Sequence, residues 1–395
     1  MIIGILLILT ICYLTLYSAY ILILTIVNFV VREKKYNISA KKNRIVVIIP
    51  AHNEELLIER LLSTLKKQSY PLEHFSICVV ADNCDDNTEQ VANSAGVEVL
   101  VRKDTKNKGK GYAINHAIKY LEKRDYDAIL IVDADSTVNK ECLAQLSILL
   151  NENKKIIQLY NAVGNPYKSA LTSLMNVSRT IANEIIGPAK SKLGLSFHLM
   201  GNGMCFTRDI IEKYGWHSFS VGEDWEFFAA LVLDAQNIHF SKHARVYHQE
   251  SQSLKQATPQ RLRWSSGRFH VLWHSLGKLL GNKRNSISLK TLDSFTALIF
   301  PNPSLSINIM VLCFIFTLLF TNDLFQKFLI IWLIALLLIN VAIFIVGCFY
   351  TTRPLKSLAS FIFAPLFLIW KMAIDCVSIL GIGRKEWKRT SRIQE

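Results

Sequence analysis

Charge is scarce in this chain. Charged residues make up 19% of its 395 residues, against about 25% in ordinary soluble domains. Acids are the rarer sign, 31 Asp+Glu against 45 Lys+Arg, for a net charge of +14. With 51% hydrophobic residues, this excludes intrinsic disorder and disfavours a wholly soluble enzyme. Clustered cysteine is also lacking. The eight cysteines include no Cys-x-x-Cys pair, and four lie inside long apolar runs. That spacing argues against a zinc site or a disulfide framework, and for reduced thiols on a chain whose soluble part faces the cytosol. No internal repeat or low-complexity segment stands out.

The first charged residue is Arg32. Met1–Val31 is longer than the roughly 20 residues a helical span needs, has no positive start, and is followed at once by Arg32, Lys34 and Lys35. It reads as a retained anchor rather than a secretory leader, with its N-terminus outside and the next segment cytosolic. Residues 32–44 form a basic linker. From Leu292 the composition becomes lipid-like, with long apolar runs at Ser304–Phe320, Phe328–Tyr350 and Ser357–Gly381 inside a membrane region of residues 291–382. A basic tail, 383–395, follows. Four spans would leave that tail outside, against the positive-inside rule. The last run holds Pro365, Lys371 and Asp375, so it is expected to be re-entrant or interfacial. The expected location is the cell membrane, multi-pass.

Between these regions strand-like and helix-like segments alternate. Ile45–Ile49, Ile77–Ala81, Val97–Val101 and Ala128–Val132 are apolar, and helical spacing separates them at Glu54–Lys67, Thr88–Ala95 and Gly111–Leu121. This predicts an α/β domain on a parallel, doubly wound sheet. Ligands of such sheets bind beyond the carboxyl ends of the strands. Three polar clusters stand there: Pro50-Ala51-His52-Asn53-Glu54, Asp82-Asn83-Cys84-Asp85-Asp86 and Asp133-Ala134-Asp135.

Asp133 and Asp135, two residues apart at a strand end, suit a hard cation, Mg²⁺ or Mn²⁺, held against a diphosphate. A lone Asp-x-Asp is as often a solvated turn; the neighbouring acidic clusters shift the balance. Asp82 suits a base edge or ribose. Lys108-Gly109-Lys110-Gly111, before a helix, suits phosphate or simply an exposed basic turn. Glu223-Asp224 offers a general base or a dipole-favoured helix start, downstream of Gly201-Asn202-Gly203. Gln260-Arg261-Leu262-Arg263-Trp264 opens a basic amphipathic segment, 260–290. It can lie on a membrane while presenting guanidinium to a diphosphate and indole to a sugar face. His239, His243 and His248 do not make a three-histidine metal site, because simple alternation turns His248 away from the other two.

In order, these elements resemble the membrane-embedded family 2 glycosyltransferases, the group of cellulose, hyaluronan, chitooligosaccharide and poly-N-acetylglucosamine synthases. The likeness rests on Asp82, Asp133-x-Asp135, Glu223-Asp224 and Gln260-x-x-Arg263-Trp264, from Ile45 to about Trp273. It implies a GT-A catalytic domain (45–259), a UDP-sugar donor, inversion at the anomeric carbon, and growth of a polysaccharide at the cytosolic face, with export. By that likeness Pro50, Asn53, Glu54, Asp82, Lys110, Asp133, Gln260 and Arg263 meet the donor. Asp133 and Asp135 hold the metal, Asp224 with Glu223 is catalytic, and Trp264, Gly201 and Asn202 meet the acceptor. The alternative is transfer of one sugar to a lipid. Expected partners are the UDP-sugar, a saccharide or lipid-linked acceptor, membrane lipids, and a second copy or an export partner; no nucleic acid is expected. The chain departs from the family at Gly222, where Thr is usual, and in its single N-terminal span. A nucleotidyltransferase would have no use for Glu223-Asp224 or the Gln260 segment, and a non-catalytic scaffold would not bind UDP.

Overall fold

The computed structural model describes residues 2–32, 41–281, 289–300, 302–320 and 324–381; most of the basic linker and the whole tail lie outside them. The chain begins with α1 (Ile2–Val30), β1 (Ile45–Ala51), α2 (Ile58–Lys66), β2 (Phe75–Asp82), α3 (Thr88–Ser94), β3 (Glu98–Arg102), α4 (Lys110–Leu121) and β4 (Ala128–Ile131). It continues through β5 (Ser136–Val138), α5 (Cys142–Asn151), β6 (Ile156–Val163), α6 (Ala170–Thr180), a π-helical turn (Ile181–Ile186) and α7 (Gly187–Lys192). Next come β7 (Met204–Thr207), α8 (Arg208–Tyr214), α9 (Glu223–Leu233), β8 (His239–His248) and α10 (Leu254–Gly281). The helices α11 (Leu289–Ile299), α12 (Pro303–Phe320), α13 (Leu324–Phe349), α14 (Pro354–Ala359) and α15 (Ala364–Ile379) complete the described chain.

The eight strands form one sheet in the order β3-β2-β1-β4-β7-β6-β8-β5. The first four are parallel, as expected, but β7 runs antiparallel to β4 and β6, and β5 antiparallel to β8. The sheet is therefore mixed, which corrects the wholly parallel reading. That reading rested on continuous apolar strands, whereas β6 and β8 interleave polar residues and take part in antiparallel pairing. The β8 register also slips between Leu159 and Tyr160. The extra residues leave His239 buried and His243 exposed, so simple alternation gave these two a common face that the bulge removes.

Alternate side chains of the strands fill two apolar layers. Val46, Ile48, Ile129 and Ile131 pack on Ile114, Ala117 and Ile118 of α4. Val47, Ile49 and Leu130 pack on Leu61 and Leu65 of α2 and on Leu143 and Leu146 of α5. Each fully buried aliphatic contributes about 1.5–3 kcal/mol. This packing fixes the ends of β1, β2 and β4 side by side, where the three polar clusters begin.

Three helical stretches are long and apolar enough to cross a bilayer: Ile3–Val30, Leu324–Phe349 and Pro354–Ile379. The sharp break lies elsewhere, a 73° bend between Leu289–Ile299 and Pro303–Leu319. Pro365 falls in the first turn of α15, where its missing N–H costs no helical bond. Lys371 pairs with Asp375 one turn on, and both meet Ser265 of α10 at 3.0 Å. The two charges are thus paired and buried against α10. Helix α10 itself begins six residues earlier than the expected interface segment.

The helices and the sheet domain are tied together. Asn28 of α1 donates to the Glu184 carbonyl (2.9 Å) and Lys192 to the Asn28 carbonyl (2.7 Å). Asp293 of α11 accepts from Tyr20 (2.7 Å) and pairs with Lys190 (3.0 Å).

Candidate active site

Lys110, first residue of α4, draws the acidic clusters together. Its ammonium pairs with Asp133, donates to the Gly201 carbonyl at 2.5 Å and lies 3.8 Å from Glu223 Oε1. Burial disfavours the ammonium, but Asp133, Glu223 and Asp224 outweigh it and raise its pKa. Asn202 holds the loop from behind: its Oδ1 accepts the Asp133 N–H (3.1 Å) and its Nδ2 donates to Ser136 (2.9 Å). Gly201 has φ +76°, and a Cβ there would stand 3.1 Å from Asp224 Oδ2. The backbone thus approaches that carboxylate in a conformation that favours glycine.

Glu223 and Asp224 open α9, where they favour the helix dipole, and both line the cavity with Asp133 and Lys110. Burial pushes Glu223 up to about 7, with Lys110 opposing and Asp224 adding repulsion. Burial raises Asp224 as well, against the pull of Lys110. Two adjacent acids raised this way can accept a proton near neutral pH.

The β1 and β2 ends form the next wall. Asp82 is 5% exposed and pairs with Arg102 at 2.6 Å, and its backbone carbonyl lies 2.7 Å from His52 Nδ1. Burial raises its pKa while Arg102 lowers it. Arg102 in turn faces Tyr112, which stacks on Phe219 at 4.4 Å. Pro50, Glu54, Asp82 and Lys110 all line the cavity described below; Asn53 does not. Asn53, at φ +55°, accepts the Asp85 N–H (2.8 Å) and shapes the loop. Gly111 packs on the Ser218 backbone.

The third wall is α10, which supplies Gln260, Arg263 and Trp264. Its approach depends on Gly222 and Gly267: a Cβ on Gly267 would come within 2.9 Å of the Gly222 nitrogen. This contact accounts for glycine at the position before Glu223. Sequence reasoning missed several residues here. Glu250 is buried and pairs with Arg261 (2.8 Å), whose guanidinium lies 4.7 Å over the Trp264 ring. Trp225 is sandwiched between His198 (5.4 Å, stacked) and Arg268 (4.4 Å). Arg179 enters from α6. Apart from Glu250, an acid two residues after the strand-ending His248, none stands at a strand end, and only tertiary packing brings them in.

All three walls enclose one cavity of about 1400 Å³. It runs from Asp82, Asp133 and Asp135 past Glu223, Asp224, Gly201 and Asn202 to Gln260, Arg263 and Trp264, then on among Tyr17, Leu337, Val341 and Phe344 of the apolar helices. Asp133 and Asp135 are its paired carboxylates, and among the described residues no cluster of three His, Cys, Asp or Glu side chains forms a metal cage. Two carboxylates and open space fit a hard cation that keeps waters and takes other ligands from phosphates.

The family model described as "Glycosyltransferase like family 2" matches residues 43–267, more than half of the chain. The probable glycosyltransferase YdaM of Bacillus subtilis is 28% identical over 254 residues, 62% of this chain and 60% of YdaM. Beta-monoglucosyldiacylglycerol synthase of Trichormus variabilis is 23% identical over 228 residues, 56% of this chain and 48% of that enzyme. The matches thus span less than two thirds of these relatives' lengths. Among solved structures, the mannosyltransferase PcManGT of Pyrobaculum calidifontis, in complex with GDP-Man and Mn²⁺, superposes with a TM-score of 0.60 at 17% identity, over 91% of this chain and 99% of its own. The α/β domain with its mixed central sheet has the GT-A fold.

Proposed function

Because the chain belongs to glycosyltransferase-like family 2, we propose that it transfers a hexosyl or N-acetylhexosaminyl group from a UDP-sugar to a saccharide or lipid-linked acceptor, with inversion at the anomeric carbon. The observation that carries this reading is the single cavity in which the acids at the sheet end, the Gln260–Trp264 segment and the apolar helices meet. The donor nucleotide lies against Pro50, Glu54 and Asp82, and its diphosphate near Lys110, Gln260 and Arg263. Asp133 and Asp135 would hold Mg²⁺ or Mn²⁺, which when bound neutralises charge on the diphosphate; the Mn²⁺ in PcManGT supports that choice.

The acceptor hydroxyl attacks the anomeric carbon while the bond to the diphosphate oxygen breaks, its electron pair leaving with UDP. The hydroxyl proton passes to Asp224, a step in which a placed carboxylate gives about 10²–10⁴-fold. Glu223 shares the proton load of the pair, and Arg263 stabilises the departing charge. Trp264 offers its ring to the acceptor sugar. The cleft is cytosolic, in a chain held in the cell membrane by its apolar helices.

Trp264 in the wall favours elongation of a glycan chain. The apolar continuation of the cavity favours an acceptor held in lipid, as the name of the diacylglycerol-glucosylating relative also suggests. Product mass separates repeated from single addition. The reading as a whole is tested by nucleotide release from a panel of UDP-sugars and GDP-Man with Mg²⁺ or Mn²⁺. At least one UDP-sugar should turn over, and Asp135→Ala should abolish turnover and metal-dependent UDP binding. Turnover with GDP-Man alone would reject the uridine donor, and full activity of Asp135→Ala would reject the metal site.

A further inference from the structure

The membrane-side half of the cavity is apolar yet carries only positive charge. Its wall includes Leu174, Met175, Ile181 and Ala182 on the α6 side and Phe344 and Phe367 on the other. The charged side chains among them are Arg179, Lys190, Arg261, Arg268 and Lys371. Three have an acid behind the wall: Lys190 has Asp293 (3.0 Å), Arg261 has Glu250 (2.8 Å) and Lys371 has Asp375. Arg268 donates to the Ala297 and Phe300 carbonyls and covers Trp225. Among the described residues the Arg179 guanidinium makes no hydrogen bond and no ion pair.

Arg179 is nevertheless built into place. It stands one residue before the end of α6, just ahead of the π-helical turn, where a carbonyl is released from regular bonding. Asn183 Nδ2 takes up that Arg179 carbonyl (2.8 Å) and also reaches the Asn161 carbonyl (2.9 Å) on β6. Burial lowers the guanidinium pKa to about 10, with Glu250 opposing, so the group stays charged at neutral pH. Glu250 and Asp224 act on it only at a distance; a guanidinium without an ion pair in an apolar chamber calls for an anion, and its planar fork suits phosphate.

We propose that this half of the cavity binds an anionic membrane lipid, its chains among the helices and its phosphate on Arg179, and that the hydroxyl presented to Asp224 is carried beyond that phosphate. The assignment rests on the acceptor reading above and names its chemical class. A neutral lipid or a free glycan would leave Arg179 without an ion pair. The donor diphosphate is assigned instead to Lys110, Gln260 and Arg263, and the UDP measurement below separates the two anions.

The test uses the full chain in nanodiscs of phosphatidylcholine containing 20% phosphatidylglycerol, a phosphate lipid with free hydroxyls, and measures retained lipid by native mass spectrometry. The expected result is at least tenfold enrichment of phosphatidylglycerol over its share of the disc, falling to no preference in Arg179→Gln and largely kept in Arg179→Lys. Leu174→Trp, which fills the apolar wall, should reduce retention of both lipids. Millimolar inorganic phosphate should not displace the bound lipid; displacement would mean a free-phosphate site and overturn the lipid assignment. Equal retention of both lipids by the unmodified chain would overturn it too, and that arm needs no variant to fold. UDP affinity is measured in parallel. A loss in Arg179→Gln beyond twofold would assign Arg179 to the donor instead, whereas absence of UDP binding in the unmodified chain would undo the transferase reading and leave the lipid result standing.

Discussion

Asp224 and Glu223 share one charge problem, and their chemistry follows from it. Both acids hold protons more tightly than usual because the cavity desolvates them. At low pH the pair is protonated and no base is available. Activity should therefore rise with pH, with the inflection of kcat/KM displaced above the ordinary carboxylate range and titrating as a pair. Glu223→Gln removes the like charge and should move the inflection down. Asp224→Asn should leave UDP binding within twofold while kcat falls about 10²–10⁴-fold; donor affinity lost with kcat kept would make Asp224 a binding residue. For Trp264, the acceptor role predicts that Trp264→Ala depresses transfer far more than UDP-sugar hydrolysis, while Arg263→Ala depresses both. Equal loss of both activities in Trp264→Ala, together with a lower Tm, would leave Trp264 as a membrane anchor.

Among elements, the meeting of α9 and α10 decides whether these residues face one another. Gly222 and Gly267 touch through their backbones. Gly267→Ala should force the two helices apart, costing about 1–3 kcal/mol as overpacking does, and should slow transfer without changing UDP affinity; a variant with wild-type Tm and rate would show that the helices have slack. Residues at strand ends were legible in the sequence because short continuous apolar runs mark where each strand stops. Asp82, Asp133 and Asp135 were found that way. Arg179 and Arg268 were not, since they lie on helices whose apolar pattern gives a face but not its neighbour, and neither was His198, in the irregular segment after α7. The mixed sheet stayed hidden for a related reason: strand direction is set by how the chain returns, and β7 returns only after the long α6–α7 excursion. Asn53 illustrates the reverse, a residue chosen for its place after β1 whose left-handed backbone serves the loop.

For the molecule as a whole, α10 and α15 join the candidate site to the apolar helices. Lys371 and Asp375 are almost wholly buried against Ser265. Lys371→Leu alone should lose about 3–5 kcal/mol, because it strands a carboxylate, while Lys371→Leu combined with Asp375→Leu should recover most of that. Thermal unfolding in detergent reads both, and equal Tm values for single and double variants would argue against the buried pair. The apolar runs were legible from composition, but the 73° bend between α11 and α12 was not.

The chamber has two owners. One wall is the rigid end of a sheet, whose register any change would disturb; the other is a set of apolar helices that tolerate exchange of one greasy side chain for another. Mutations in the second wall can remodel what is glycosylated while leaving the nucleotide machinery untouched. A fragment cut off after the sheet would be half a reaction vessel, with the acids of the sheet end but neither α10 nor the apolar wall.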